Sequence, residues 1–83
     1  MRKVLGRYIV MDSEICQGEL TFRGTRIMVK QVLEEVADGI PWDIIVENWG
    51  GKVKRKAIAE AVRLANEALL EGLDDLKAEL ARQ

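Results

Sequence analysis

The chain has no histidine, one cysteine, one proline and four aromatic residues in 83. Each scarcity excludes something. Without histidine there is no imidazole base and the commonest metal ligand is missing. A single thiol, Cys16, offers one metal ligand and cannot close an internal disulfide. Neither Cys16 nor Ser13 has a base to activate it as a nucleophile. No phosphate-binding glycine loop and no paired catalytic carboxylate motif is present. These absences point away from an enzyme, and they imply no cofactor and no metal. No apolar run reaches the 18 or more residues of a membrane span. The start, Met1-Arg2-Lys3-Val4-Leu5-Gly6, carries charge but lacks the apolar stretch of a signal peptide. A cytoplasmic protein is expected, and the lone cysteine fits a reducing compartment.

What remains has an ordinary soluble composition, 48% hydrophobic and 33% charged. Eighty-three residues make one domain. Such a chain buries roughly 60–65% of its unfolded surface, so its core is small and an oligomer would help it. Net charge is only −1 and the pI is near 5.4, yet the charges are segregated. Residues 1–30 carry six Lys/Arg against three Asp/Glu, and residues 31–51 carry five acids and no base. Lys52, Lys54, Arg55, Lys56 and Arg63 then face Glu60 alone, and residues 64–83 return to five acids against two bases. With a Debye length of about 8 Å at physiological salt, such patches matter more for binding than the total.

The hydrophobic periods divide the chain into an α+β fold. Arg7-Tyr8-Ile9-Val10-Met11 reads as a strand. Leu20-Thr21-Phe22 and Ile27-Met28-Val29 read as the arms of a hairpin around Gly24-Thr25, with glycine at the first central position of the turn. From Val29 the period becomes helical through Val32, Leu33 and Val36, and Gly39 is a stop. Pro41 suits the first turn of a second helix carrying Trp42, Ile45, Val46 and Trp49, which ends at Gly50-Gly51. A long third helix follows, with apolar positions Ile58, Val62, Ala65, Leu69, Leu73, Leu76 and Leu80 read as one stripe. Its soft point is Gly72, costing roughly 1 kcal/mol against alanine. The expected layout is a strand and hairpin region over 1–28, a three-helix helix-turn-helix core over 29–66, and a helical extension over 67–83. The helices are expected at about 29–38, 42–49 and 54–81.

In a helix-turn-helix the second helix of the motif enters the major groove with its N-terminal residues nearest the bases. Here those residues are Lys54, Arg55 and Lys56. Three cations at a positive helix end are locally unfavourable, which a polyanion would offset. The alternative is a solvated surface turn. Lys52, Arg23 and Arg26 are candidate phosphate contacts. For the two arginines the competing reading is a solvated hairpin tip or an internal salt bridge to Asp12 or Glu14. Trp42 and Trp49 lie seven apart on one helical face and read as core, and Cys16 reads as a buried small hydrophobe. Leu69, Leu73, Leu76 and Leu80 outrun the small core and would face water, so they are the candidate interface for a dimer or for a second protein. The strand at 7–11 could add to a dimer by pairing its bare edge.

Asp12, Glu14, Ile15, Cys16, Gly18 and Arg23-Gly24-Thr25-Arg26-Ile27, with Val32-Leu33, Ala37, Gly39, Ile44-Ile45, Ile58 and Ala61, resemble domain-of-unknown-function family 433 over about residues 7–70. Gln17 stands where glycine is common in that family, Pro41 where a serine-type cap is frequent, and Lys54 where a hydroxyl cap would be expected. The resemblance implies a homeodomain-like helix-turn-helix and a VapB-like antitoxin that represses its own promoter. It also implies a toxin partner, commonly a PIN-like ribonuclease. Two functions are therefore carried forward. One is a homodimeric DNA-binding antitoxin. The other is a domain that binds no DNA and uses its long helix to oligomerise or dock another protein.

Overall fold

The computed structural model describes residues 1–82. Three antiparallel strands, β1 (Arg2–Leu5), β2 (Ile9–Asp12) and β3 (Leu20–Phe22), form a sheet in the order β1-β2-β3. Three helices follow, α1 (Val29–Ala37), α2 (Trp42–Asn48) and α3 (Arg55–Ala81). The α+β class and the long C-terminal helix agree with the sequence reading, and each helix lies within one or two residues of its expected bounds. No helix is long and apolar enough to cross a membrane among the described residues.

The sheet corrects the sequence reading in three places. First, β1 was not expected, because Arg2, Lys3 and Val4 are all exposed and show no alternation. It pairs along the full length of β2, from Arg2 opposite Asp12 to Leu5 opposite Ile9. Since β3 pairs on the other side, the strand expected at 7–11 is central and has no bare edge to offer a second copy. Second, that strand starts at Ile9 rather than Arg7. Gly6 adopts φ +81, and the Glu60 carboxylate accepts hydrogen bonds from the Arg7 and Tyr8 N–H groups at 3.0 and 2.8 Å. Those two residues are thereby held in the turn. A Cβ at position 6 would fall 2.7 Å from Glu60 Oε1, so glycine is required both for conformation and for space.

Third, the expected hairpin over 20–29 has only one arm. Ile27-Met28-Val29 makes a single bridge, Thr21 to Met28, and Val29 already begins α1. The Gln31 side chain accepts the Met28 N–H at 3.1 Å, which starts a helix instead of extending a ladder. The turn itself is offset by one residue. The Thr25 N–H donates to the Phe22 carbonyl, which makes Arg23-Gly24 the central pair. Gly24, at φ +75, takes the second central position, the pattern of a type II turn.

The helix ends were legible and have a common chemistry. Gly39 donates to the Val36 carbonyl and Ile40 to Glu35; Gly50 donates to Glu47 and Gly51 to Val46. Both are Schellman closures with a left-handed glycine just past the helix. Pro41 is the N-cap of α2 rather than its first helical residue.

Ile9, Phe22, Val29, Val32, Ile45, Val53, Ala57, Ile58 and Ala61 form the core. Only the first three turns of α3 contribute to it, through Ala57, Ile58 and Ala61, with Leu64 packed against them. Val62 is half-buried and Ala65 exposed. The single stripe expected from Ile58 to Leu80 is therefore not one packing face. Beyond Leu64 the helix is an arm, and Leu69, Leu70, Leu73, Leu76 and Leu80 are 41–71% exposed.

Candidate nucleic-acid interface

Lys52, Lys54, Arg55 and Lys56 are all exposed, but they do not act as one group. The Arg55 guanidinium donates to the Asp43 carboxylate and stands 5.7 Å from the centre of the Trp42 ring. This pair ties the first turn of α3 back to α2. Lys56 lies exposed and makes no ion pair among the described residues. Lys54 is the N-cap of α3, without a side-chain capping bond, and the first turn carries no acid. The leading N–H groups of α3 thus keep their positive character.

The cations that do converge come from three separate segments. One depression is bordered by Arg2 on β1, Arg26 on the 23–28 turn, and Lys52 on the loop between α2 and α3, with the Trp49 ring in its wall. A second, adjoining it through Lys52, is bordered by Arg7, Arg23 and Lys54, with Tyr8 and Phe22 between them. No Asp or Glu lines either depression. The salt bridges weighed for Arg23 and Arg26 do not form; the Asp12 carboxylate instead accepts the Glu14 N–H at 2.9 Å. Charged side chains without opposite partners around a depression focus a positive potential there.

Local structure fixes where these cations stand. The Thr25 hydroxyl donates to the Phe22 carbonyl at 2.8 Å and accepts the Ile27 N–H at 3.0 Å. Arg23 N–H donates to the Tyr8 carbonyl at 2.7 Å, so the turn bearing Arg23 and Arg26 is pinned to the loop bearing Arg7. The Cys16 thiol donates to the Arg26 carbonyl at 3.4 Å. Cys16 is half-buried rather than a buried core residue. Its segment is backed by three consecutive left-handed residues, Cys16, Gln17 and Gly18, at φ 49, 58 and 82. Gln17 carries the left-handed strain that glycine would take without cost.

Trp49 packs partly buried against the core and donates its indole N–H to Glu35, and Trp42 is also packed partly buried against the core. Arg2 and Arg7 were missed as site residues. The excess of bases in residues 1–30 was visible, but β1 was not, and without β1 nothing carries Arg2 to Lys52. Among the described residues no three His, Cys, Asp or Glu side chains gather to hold a metal.

The chain belongs to the DUF433 family of proteins of unknown function, whose model matches residues 9–65. No curated protein and no solved structure matches it. The matched segment contains the β2–β3 region, α1, α2 and the core-packed part of α3; the arm beyond residue 65 lies outside it.

Proposed function

We propose that the protein is a cytoplasmic DNA-binding antitoxin without enzymatic activity. In this reading it represses its own operon and neutralises a PIN-like ribonuclease toxin, and it acts as a homodimer. The observation that carries the DNA-binding half is the pair of depressions that share Lys52, one lined by Arg2 and Arg26 and the other by Arg7, Arg23 and Lys54, with no carboxylate in either lining. Unpaired cations held on a rigid sheet, turn and loop are what phosphate contacts require. The α2–turn–α3 segment is read as a homeodomain-like helix-turn-helix, with Lys54 and Lys56 at the start of the recognition helix. The toxin half rests on the family resemblance and on the exposed leucines of the arm.

The direct test is fluorescence anisotropy on the chain's own upstream DNA. Affinity is expected to fall with salt, with a log–log slope of roughly −0.9 for each phosphate neutralised. Lys54→Ala with Arg55→Ala and Lys56→Ala is expected to abolish specific binding while fold and dimer persist. Wild-type binding that does not distinguish upstream DNA from a scrambled duplex would overturn the repressor assignment. A second reading, an interaction domain that binds no DNA, is favoured by one observation: Arg55 is paired with Asp43 rather than free. Absence of any salt-dependent DNA binding would select it.

A further inference from the structure

The leucines of the arm do not continue the face that α3 turns toward its own core. At about 100° per residue, Ala57, Ile58, Ala61 and Leu64 centre on one side of the helix. Val62, Asn66, Leu69, Leu73, Leu76 and Leu80 centre about 110° away. On the core side beyond Leu64 the helix bears Ala68, Glu71 and Asp75, all exposed. The arm is thus polar where it overhangs its own body and apolar where it points elsewhere. Folding back onto the same molecule would bury the wrong side.

The apolar side has a strict repeat. Val62, Asn66, Leu69, Leu73, Leu76 and Leu80 are spaced four, three, four, three and four. Taking Asn66 in place of Ala65 removes the irregular step between 65 and 73. The result is a heptad with Asn66, Leu73 and Leu80 at a, and Val62, Leu69 and Leu76 at d. We propose that this half of α3 is one strand of a parallel, two-stranded coiled coil formed with a second copy of the chain, in register at Asn66. The inference rests on the self-association proposed above and fixes its surface, orientation and register.

Three observations select a second copy in this orientation. The first is area. Leu69, Leu73, Leu76 and Leu80, exposed by 41–71%, with Leu70 flanking them, leave on the order of 500 Å² of apolar surface along the arm, the upper range for a monomer. Two such patches reach the roughly 1,000 Å² that a specific interface needs. The second is Asn66. In a parallel pair it meets its own copy, amide to amide, the arrangement that holds two strands in register. In an antiparallel pair with the same layers aligned it would meet Leu76 and lose its hydrogen-bond partner. The third is charge. The antiparallel pair would set Arg63 of one copy beside Lys77 of the other, whereas the parallel pair sets Lys77 beside Gly72. A parallel pair also brings both Lys52 clusters to the same end of the coil.

Sedimentation and cysteine crosslinking test this, with Cys16→Ser as the background so that only introduced thiols react. Wild-type protein at micromolar concentration is expected at twice 9.4 kDa. Leu76→Cys is expected to form a nearly complete disulfide-linked dimer on mild oxidation. Leu73→Asp with Leu76→Asp is expected to lose the dimer while circular dichroism of the body persists, because neither leucine contributes to the core. Asn66→Leu is expected to turn the single dimer into a mixture of higher oligomers. A dimer that crosslinks only when Leu76→Cys is mixed with Asn66→Cys would overturn the parallel register and leave self-association standing. A wild-type monomer would overturn both, and a monomer that pairs one-to-one with a toxin through these leucines would give the surface to the toxin instead.

Discussion

The two halves of α3 are one continuous helix with opposite characters. From Arg55 to Leu64 it is locked into a core in which Ile58 is fully buried and Ala57 and Ala61 nearly so. From Ala65 to Ala81 every residue is exposed. The charge divides at the same point, with five bases against one acid over 52–63 and five acids against two bases over 64–83. A helix of 27 residues is about 40 Å long, and its projecting half gives the molecule a long axis of 50 Å against 33 and 19 Å. The contrast teaches that apolar periodicity alone does not identify a core. An apolar residue of the same helix is fully buried at Ile58 and faces solvent at Leu73. The body carries depressions lined by cations without carboxylates, and the arm carries exposed leucines; in the proposed reading the first meets a polyanion and the second a protein.

The largest expected effect separates the halves directly. Ile58→Ala is expected to cost about 2–5 kcal/mol in urea unfolding, whereas Leu73→Ala in the dilute monomer should stay within roughly 0.5 kcal/mol. Equal losses would mean that the arm packs on the body after all. Next comes Glu60, whose carboxylate joins α3 to the β1–β2 turn. Glu60→Ala removes the acceptor of an exposed and a half-buried backbone donor and is expected to cost about 1 kcal/mol. Gly6→Ala should lose stability as well, since its Cβ would meet that same carboxylate. Thr21 offers a change of the opposite sign. It is fully buried and its hydroxyl has no hydrogen-bond partner among the described residues. Thr21→Val is expected to raise stability by on the order of 1 kcal/mol; a loss would mean the hydroxyl is bonded after all. A small effect is expected at Arg55. Its pair with Asp43 is well exposed, so Arg55→Ala should change stability by no more than about 1 kcal/mol.

Much of this arrangement was legible in the sequence, for identifiable physical reasons. Gly39 and Gly50-Gly51 marked helix ends because left-handed residues close Schellman motifs there. The shift from period two to a helical period at Val29 placed the start of α1. β1 was not legible because its side chains are exposed and its pairing with β2 is a backbone property. The second hairpin arm was misread because Ile27-Met28-Val29 is β-prone, and only the Gln31 cap on Met28 decides for a helix. At the candidate site, Arg23, Arg26, Lys52 and Lys54 could be chosen by charge. Arg2 and Arg7 could not be added to them without the sheet, and the tie between Arg55 and Asp43 requires the crossing of α2 and α3. The arm's leucines were visible, but their departure from the core face was hidden by taking Ala65 for Asn66.

In the proposed reading the body meets nucleic acid through the two depressions that share Lys52. Lys52→Glu and Lys56→Glu change the same charge on exposed residues four positions apart, one lining both depressions and one lining neither. Anisotropy titrations on the upstream DNA across a salt series should show Lys52→Glu losing far more affinity than Lys56→Glu, with a salt slope shallower by about 1. Equal losses for the two variants, or a greater loss for Lys56→Glu, would contradict the account and return the contact to the helix N-terminus alone.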